Sequence, residues 1–136
     1  MQKADYIIHF DGGSEGNPGP MRYAWLLTRT RDKATRRGSN LELGQGTNNQ
    51  AEYLGLIAAL EELISIIEGA GRSPREFSLE VRGDSRLVMR QIAGRWRCRS
   101  ANLRPLYDRA RTLLARFGDV TYKEVPRAVS VEVLGI

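Results

Sequence analysis

Three carboxylates stand where the chain changes character. Asp11 closes the apolar run YIIHF at residues 6–10 and opens the glycine-rich stretch DGGSEGNPGP. Glu52 falls in the first turn of a strong helical pattern, and Asp84 divides the strand-like run FSLEVR from a further helix. Carboxylates at the ends of separate elements can converge on one point, and their mutual repulsion is tolerable there only with cations nearby. The pattern points to a divalent-metal site built from Asp11, Glu52 and Asp84. His9 is the only histidine. Strand alternation sets it on the opposite face from Phe10, beside the site or in the core, and a structural role is expected. Cys98 is the only cysteine, which excludes an internal disulfide or a multi-cysteine metal centre; it is read as a bystander thiol.

The elements that must hold these groups are legible in outline. Residues 6–10 read as a buried strand, and 11–20 read as loop by their Gly, Asn and Pro content. Residues 23–30 (YAWLLTRT) form a second strand and 37–44 a weaker third, joined by a charged hairpin. Thr47 to Gln50 (TNNQ) fits a capping box, and behind it Tyr53, Ile57, Leu60, Ile64 and Ile67 recur at spacings of four and three. Residues 77–82 are a fourth strand, 85–93 a short helix closed by Gly94, 103–117 a third helix stopped by Gly118, and 120–125 the last strand. The order β-β-β-α-β-α-α-β describes a mixed α/β sheet flanked by helices, in a single domain over residues 1–136.

Composition narrows the partners. A 41% apolar and 27% charged chain is that of a soluble globular protein. No apolar run nears the roughly 20 residues that span a bilayer, and Met1-Gln2-Lys3 leads straight into a strand pattern, so the expected location is the cytoplasm with no membrane contact. The net charge of +5 suits a polyanion. Residues 29–37 (RTRDKATRR) read as a solvated hairpin edge. In 95–104 (RWRCRSANLR), Trp96 lies among arginines, a mixture that can follow a phosphate backbone; packing into a helix–helix junction is the competing reading. No obligate protein partner is evident, and a monomer is expected.

The motifs DGGSEGNPGP, TNNQAEYLGLIAAL, VRGDSRLV and LRPLYDRA, in this order across residues 6–127, give the chain its resemblance to ribonuclease H type 1. The compact form is meant: the chain passes quickly from the Asp84 helix to LRPLY, without the basic protrusion, and no hybrid-binding domain is expected before it. The resemblance implies the five-stranded ribonuclease H-like fold and hydrolysis of the RNA strand of RNA–DNA hybrids with two Mg²⁺ or Mn²⁺ ions, leaving 3′-OH and 5′-phosphate ends. Asp11 would bridge both ions, with Glu52 and Asp84 completing the site. By the same resemblance Gly12, Gly13 and Ser14 would contact ribose 2′-hydroxyls, and Asn17, Asn48 and Asn49 would reach the minor groove. Thr47, with a donor near Ser100 to Asn102, would sit by a DNA phosphate. Helix-start capping is the other reading of Asn48 and Asn49, and Thr47 can do both.

The end of the chain departs from that pattern. Relatives continue from Val-Pro-Arg to a fourth carboxylate, on a final helix that is expected here to be short or missing. In register Leu134 takes the place of that carboxylate and Ser130 that of an Asn. Three outcomes are open: Glu132 supplies the carboxylate, the terminal carboxylate of Ile136 does, or the site works with three. Weak but real activity is expected, with Mn²⁺ tolerated better than Mg²⁺. The alternative is a catalytically impaired hybrid- or duplex-binding protein.

Overall fold

The computed structural model describes residues 3–136. Its strands are β1 (Tyr6–Ser14), β2 (Gly19–Arg29), β3 (Ala34–Asn40), β4 (Gln45–Gly46), β5 (Ser78–Gly83) and β6 (Asp119–Glu124). Its helices are α1 (Asn48–Gly69), α2 (Arg86–Ile92), α3 (Arg104–Leu114) and α4 (Arg127–Leu134). Five strands form the sheet in the order β3-β2-β1-β5-β6, with β4 a two-residue addition on β2. β1, β2 and β3 pair antiparallel, whereas β5 lies parallel to both β1 and β6. The parallel strands need helical crossovers, which α1 and then α2 and α3 supply.

The glycine-rich segment differs from the loop expected of its composition. β1 runs through Asp11 to Ser14, pairing Asp11↔Ala24, Gly12↔Tyr23 and Gly13↔Arg22, and β2 starts at Gly19 rather than at residue 23. Asp11 therefore sits within a paired strand. What ends at that level is the parallel partner: β5 pairs with β1 only as far as His9↔Arg82. β3 likewise spans Ala34–Asn40, earlier than its weak pattern suggested, because the ladder with β2 sets its register.

Helix α1 opens with the expected capping box, Thr47 Oγ1 accepting from the Gln50 N–H and Gln50 Oε1 accepting from the Thr47 N–H at 2.8 Å. Glu52 is its fifth residue, one position beyond the first turn. The five expected stripe residues are all buried, but so are Leu56, Ala59 and Leu63, because α1 packs on β1 and β2 with one flank and on α3 with the other. A fully buried Leu or Ile contributes about 1.5–3 kcal/mol, so this helix anchors the core. Tyr53 donates from its hydroxyl to Gln91 Oε1 at 2.6 Å, a buried bond that ties α1 to α2.

The C-terminal helix is present and short. Its sequence, RAVSVEVL, has the alternation of a strand, yet Ser130 and Leu134, four apart, are the two residues it buries. Gly135 closes it at φ 70°, a left-handed value that glycine adopts freely. α4 packs on β1 and β2, on the face opposite α1. No helix among the described residues is long and apolar enough to cross a membrane.

Candidate active site

The carboxylates meet where β1 and β5 part. Beyond His9 the β1 edge has lost its parallel partner, and the Gly12 N–H there is taken by Glu52 Oε1 at 3.0 Å. Glycine is what lets α1 come so close: a Cβ on Gly12 would stand 2.3 Å from the Ala51 carbonyl carbon and 2.4 Å from the Glu52 nitrogen. Asp84 follows the end of β5, and Ser85 caps α2 by accepting the Val88 N–H at 3.3 Å. Asp11, Glu52 and Asp84 each bring an oxygen to within 4.8 Å of the others. Thus a strand interior, a helix and a strand end deliver one carboxylate each.

This concentration of negative charge is only partly answered within the protein. Burial pushes the Glu52 carboxyl well above the usual carboxylate range, and neighbouring Asp11 pushes it the same way. Asp84 is also raised, by burial and by Asp11, against the opposing pull of Arg127. Arg127 is the residue that sequence reasoning missed here. From the first turn of α4 its Nη1 donates to Asp11 Oδ2 and, at 3.2 Å, to Asp84 Oδ2. The only signal for it in the sequence is its place directly after Val125-Pro126, at the start of a helix that is itself hard to read.

Two oxygens remain without partners, Asp11 Oδ1 and Glu52 Oε2, both buried. A buried carboxylate oxygen without a donor is costly, and a hard divalent cation with oxygen ligands answers that cost. The donor set therefore fits a hard divalent cation. Glu132 does not join it: among the described residues the cluster holds only Asp11, Glu52 and Asp84, and Glu132 stands on the exposed side of α4. Leu134 is buried beside Asp11, lining an adjoining cavity with Ile136. His9 takes the structural role: it is 3% exposed and bonds through Nε2 to Ser130 Oγ at 2.9 Å, docking α4 on β1. Its pKa is lowered by burial first and by Arg82 second.

Around the carboxylates lies a concavity of about 410 Å³, which Gly12, Gly13, Ser14, Asn48, Asn49 and Arg22 also line. Asn48 and Asn17 serve as stitching: Asn48 Oδ1 accepts from the Ser14 N–H at 2.8 Å, and Asn17 Oδ1 accepts from the Asn48 N–H at 3.1 Å. Their carbonyl oxygens are occupied and their amide N–H groups are left to point elsewhere. Thr47 is engaged in its cap. Trp96, Ser100 and Asn102 are not brought into this concavity. Trp96 is 42% exposed rather than packed in a helix junction, with the Arg90 guanidinium 5.0 Å over its ring. Ser100 lines a separate depression with Arg97, Arg99 and Arg104. Cys98 is buried, which pushes its thiol pKa up and suits a bystander.

Comparison with known proteins places this geometry. Residues 9–133 match the family described as reverse transcriptase-like. The chain is 41% identical over 122 residues to the protein named ribonuclease HI in Halobacterium salinarum, across 90% of this chain and 57% of that one. It is 38% identical over 122 residues to a bifunctional protein of Mycobacterium tuberculosis, again across 90% of this chain but 31% of that protein. It thus spans between about a third and just over half of these curated relatives. Among solved structures, RNase H1 of Halobacterium salinarum superposes with a TM-score of 0.78 at 39% identity, over 95% of this chain and 92% of that one. LC11-RNase H1, crystallised with an RNA/DNA hybrid, gives 0.79 at 28% identity, over 93% and 89%.

Proposed function

The chain belongs to the ribonuclease H1 family, and from that premise we propose that it is an endonuclease cutting the RNA strand of RNA–DNA hybrids with divalent-metal assistance. The observation that carries the reading is the cluster of Asp11, Glu52 and Asp84 with two buried, unpartnered oxygens. Mg²⁺ or Mn²⁺ held there would supply Lewis acidity and an activated water for in-line attack on a phosphodiester, with two ions the fullest form of that chemistry. The protein's own part is preorganisation. The β1 ladder fixes Asp11, the Gly12 N–H orients Glu52, and the start of α2 positions Asp84. Gly12, Gly13 and Ser14 line the concavity, a position suited to reading ribose 2′-hydroxyls through backbone groups other than the Gly12 and Ser14 N–H, which Glu52 and Asn48 hold.

Arg127 adds a cation at the level of the reacting phosphate, more than half exposed and free to leave the carboxylates for an anionic substrate. Leu134, buried and in register with the fourth carboxylate that the sequence resemblance implies, supports reduced turnover and a site of three carboxylates. That residue is also what favours the second reading, a protein that binds hybrids and cuts them barely or not at all.

The two readings separate in one assay. A labelled hybrid is incubated with Mg²⁺ or Mn²⁺, and the ends of the RNA products are determined. The nuclease yields 3′-OH and 5′-phosphate ends, loses them with Asp11→Asn, and keeps its rate with Glu132→Ala. Salt-sensitive binding without metal-dependent products establishes the second reading instead.

A further inference from the structure

A second cavity, of about 340 Å³, opens directly beside the carboxylates on the sheet face that Asp11 shares with α4. That volume is in the range of small-ligand sites. Its floor follows the cross-strand row Asp11–Ala24–Ser39, three residues directly opposed on β1, β2 and β3. With Ala24 and Ser39 small, a ligand can approach the sheet closely. Diagonally to either side of this row stand Arg22, two residues from Ala24, and Arg37, two residues from Ser39.

These two arginines differ from others on the same two strands. Arg29 pairs with Asp32 and Arg36 with Glu62, but among the described residues no carboxylate lies within ion-pair reach of Arg22 or Arg37. The remaining wall is apolar, formed by Leu134 and by Leu41, which is 72% exposed. Arg22 also lines the concavity of the carboxylates, as do Asp11, Gly12 and Gly13, so the two volumes adjoin along β1 and Arg22. Two free cations flanking a shallow floor, with aliphatic surface opposite, match the chemistry of a nucleotide: anionic phosphate on one side, a flat apolar base face on the other.

We propose that this cavity seats one unpaired ribonucleotide of the strand being cut, with its phosphate between Arg22 and Arg37 and its base against Leu41 and Leu134. A paired nucleotide has its base faces covered by stacking and cannot use the aliphatic wall. The site therefore selects hybrids whose RNA strand leaves the duplex beside the cleaved bond, as at a tail or a frayed junction. The inference rests on the nuclease reading for the strand it names, and deepens it.

Arg37 is the residue to change, since it lines this cavity and not the concavity of the carboxylates. Its side chain is exposed, so Arg37→Ala retains the fold. Equilibrium binding by fluorescence anisotropy compares a blunt RNA–DNA hybrid with one bearing a short single-stranded RNA tail, for the parent and for Arg37→Ala. The parent binds the tailed hybrid about three- to tenfold more tightly, the range of an exposed charged contact. Arg37→Ala loses that preference, keeps its affinity for the blunt hybrid within about twofold, and lowers the salt slope for the tailed one by about 0.7. Arg37→Lys recovers part of it. An equal loss on both substrates, or no tail preference in the parent, overturns the subsite. Cleavage of the blunt hybrid by the parent tests the underlying reading separately. A tail preference lost in Arg37→Ala without any cleavage leaves the subsite standing and removes the nuclease.

Discussion

Replacing Arg127 by alanine removes the guanidinium that bonds both Asp11 and Asp84. Each carboxylate side chain is less than a tenth exposed, whereas Arg127 is 56% exposed. A hydrogen bond to a charged group contributes about 1.5–3 kcal/mol, and stripping the partner from a buried charge costs more. Solvent screening at the exposed guanidinium, and proton uptake by carboxyls whose pKa is already raised, reduce this to about 1–2 kcal/mol in metal-free buffer at neutral pH. With an unfolding entropy of about 2.1 cal/mol/K per residue, a chain of 136 residues loses about 3–7 °C in Tm. A divalent ion among the same carboxylates repels Arg127 and does its electrostatic work instead. In excess Mg²⁺ or Mn²⁺ the difference therefore closes, and the variant binds the ion about 5–30-fold more tightly than the parent. Thermal melts of both proteins in EDTA and in metal measure the first effect, and calorimetric titration the second. An equal drop with and without metal, or no drop in EDTA, refutes the view that Arg127 stands in for a cation.

Two further outcomes follow from the same geometry. Gly12→Ala forces its Cβ against the backbone of Ala51 and Glu52, so the α1 terminus must move. Unfolding free energy should fall by about 1–3 kcal/mol, with hybrid cleavage falling more steeply, to around a hundredth, as Glu52 leaves its place; a stable variant of parental activity removes that close approach as a determinant. Glu52 and Asp84 have folded pKa values raised above those of the unfolded chain, so the folded state holds the extra protons, and the stability this gives is lost as pH rises from 3.8 for Asp84 and 4.5 for Glu52 through the folded values. Glu52→Gln keeps an acceptor for the Gly12 N–H and removes its share of the loss; urea unfolding in EDTA across that range should show a flatter profile and greater stability than the parent at neutral pH, and an unchanged slope would contradict the assignment.

Glu52 and Asp84 were legible because each belongs to a local pattern, a helix start or a strand end, that survives without tertiary context, and Asp11 because the apolar run before it ends there, although its strand goes on. The extent of β1 was not. Gly12 and Gly13 are poor strand formers taken alone, and only the ladder to Tyr23 and Arg22 holds them extended. α4 was obscured for the opposite reason. Val129, Val131 and Val133 favour a strand, and the helix becomes evident only once Ser130 meets His9, 121 positions earlier in the chain. Arg127 entered the site with that helix, and Glu132 left it, because the docked face is set by Ser130 and Leu134 rather than by charge.

That docking has a dynamic consequence. α4 is held to the sheet by the buried Ser130–His9 bond, one buried leucine and the Arg127 contacts with Asp11 and Asp84. It buries far less apolar surface than anchors α1, so it is expected among the parts of the molecule that open most readily. Opening it withdraws Arg127 from the carboxylates and Leu134 from the neighbouring cavity in the same event. Amide exchange in α4 and cation occupancy at Asp11 are then expected to rise together, since a cation at the carboxylates displaces the charge that helps to seat the helix.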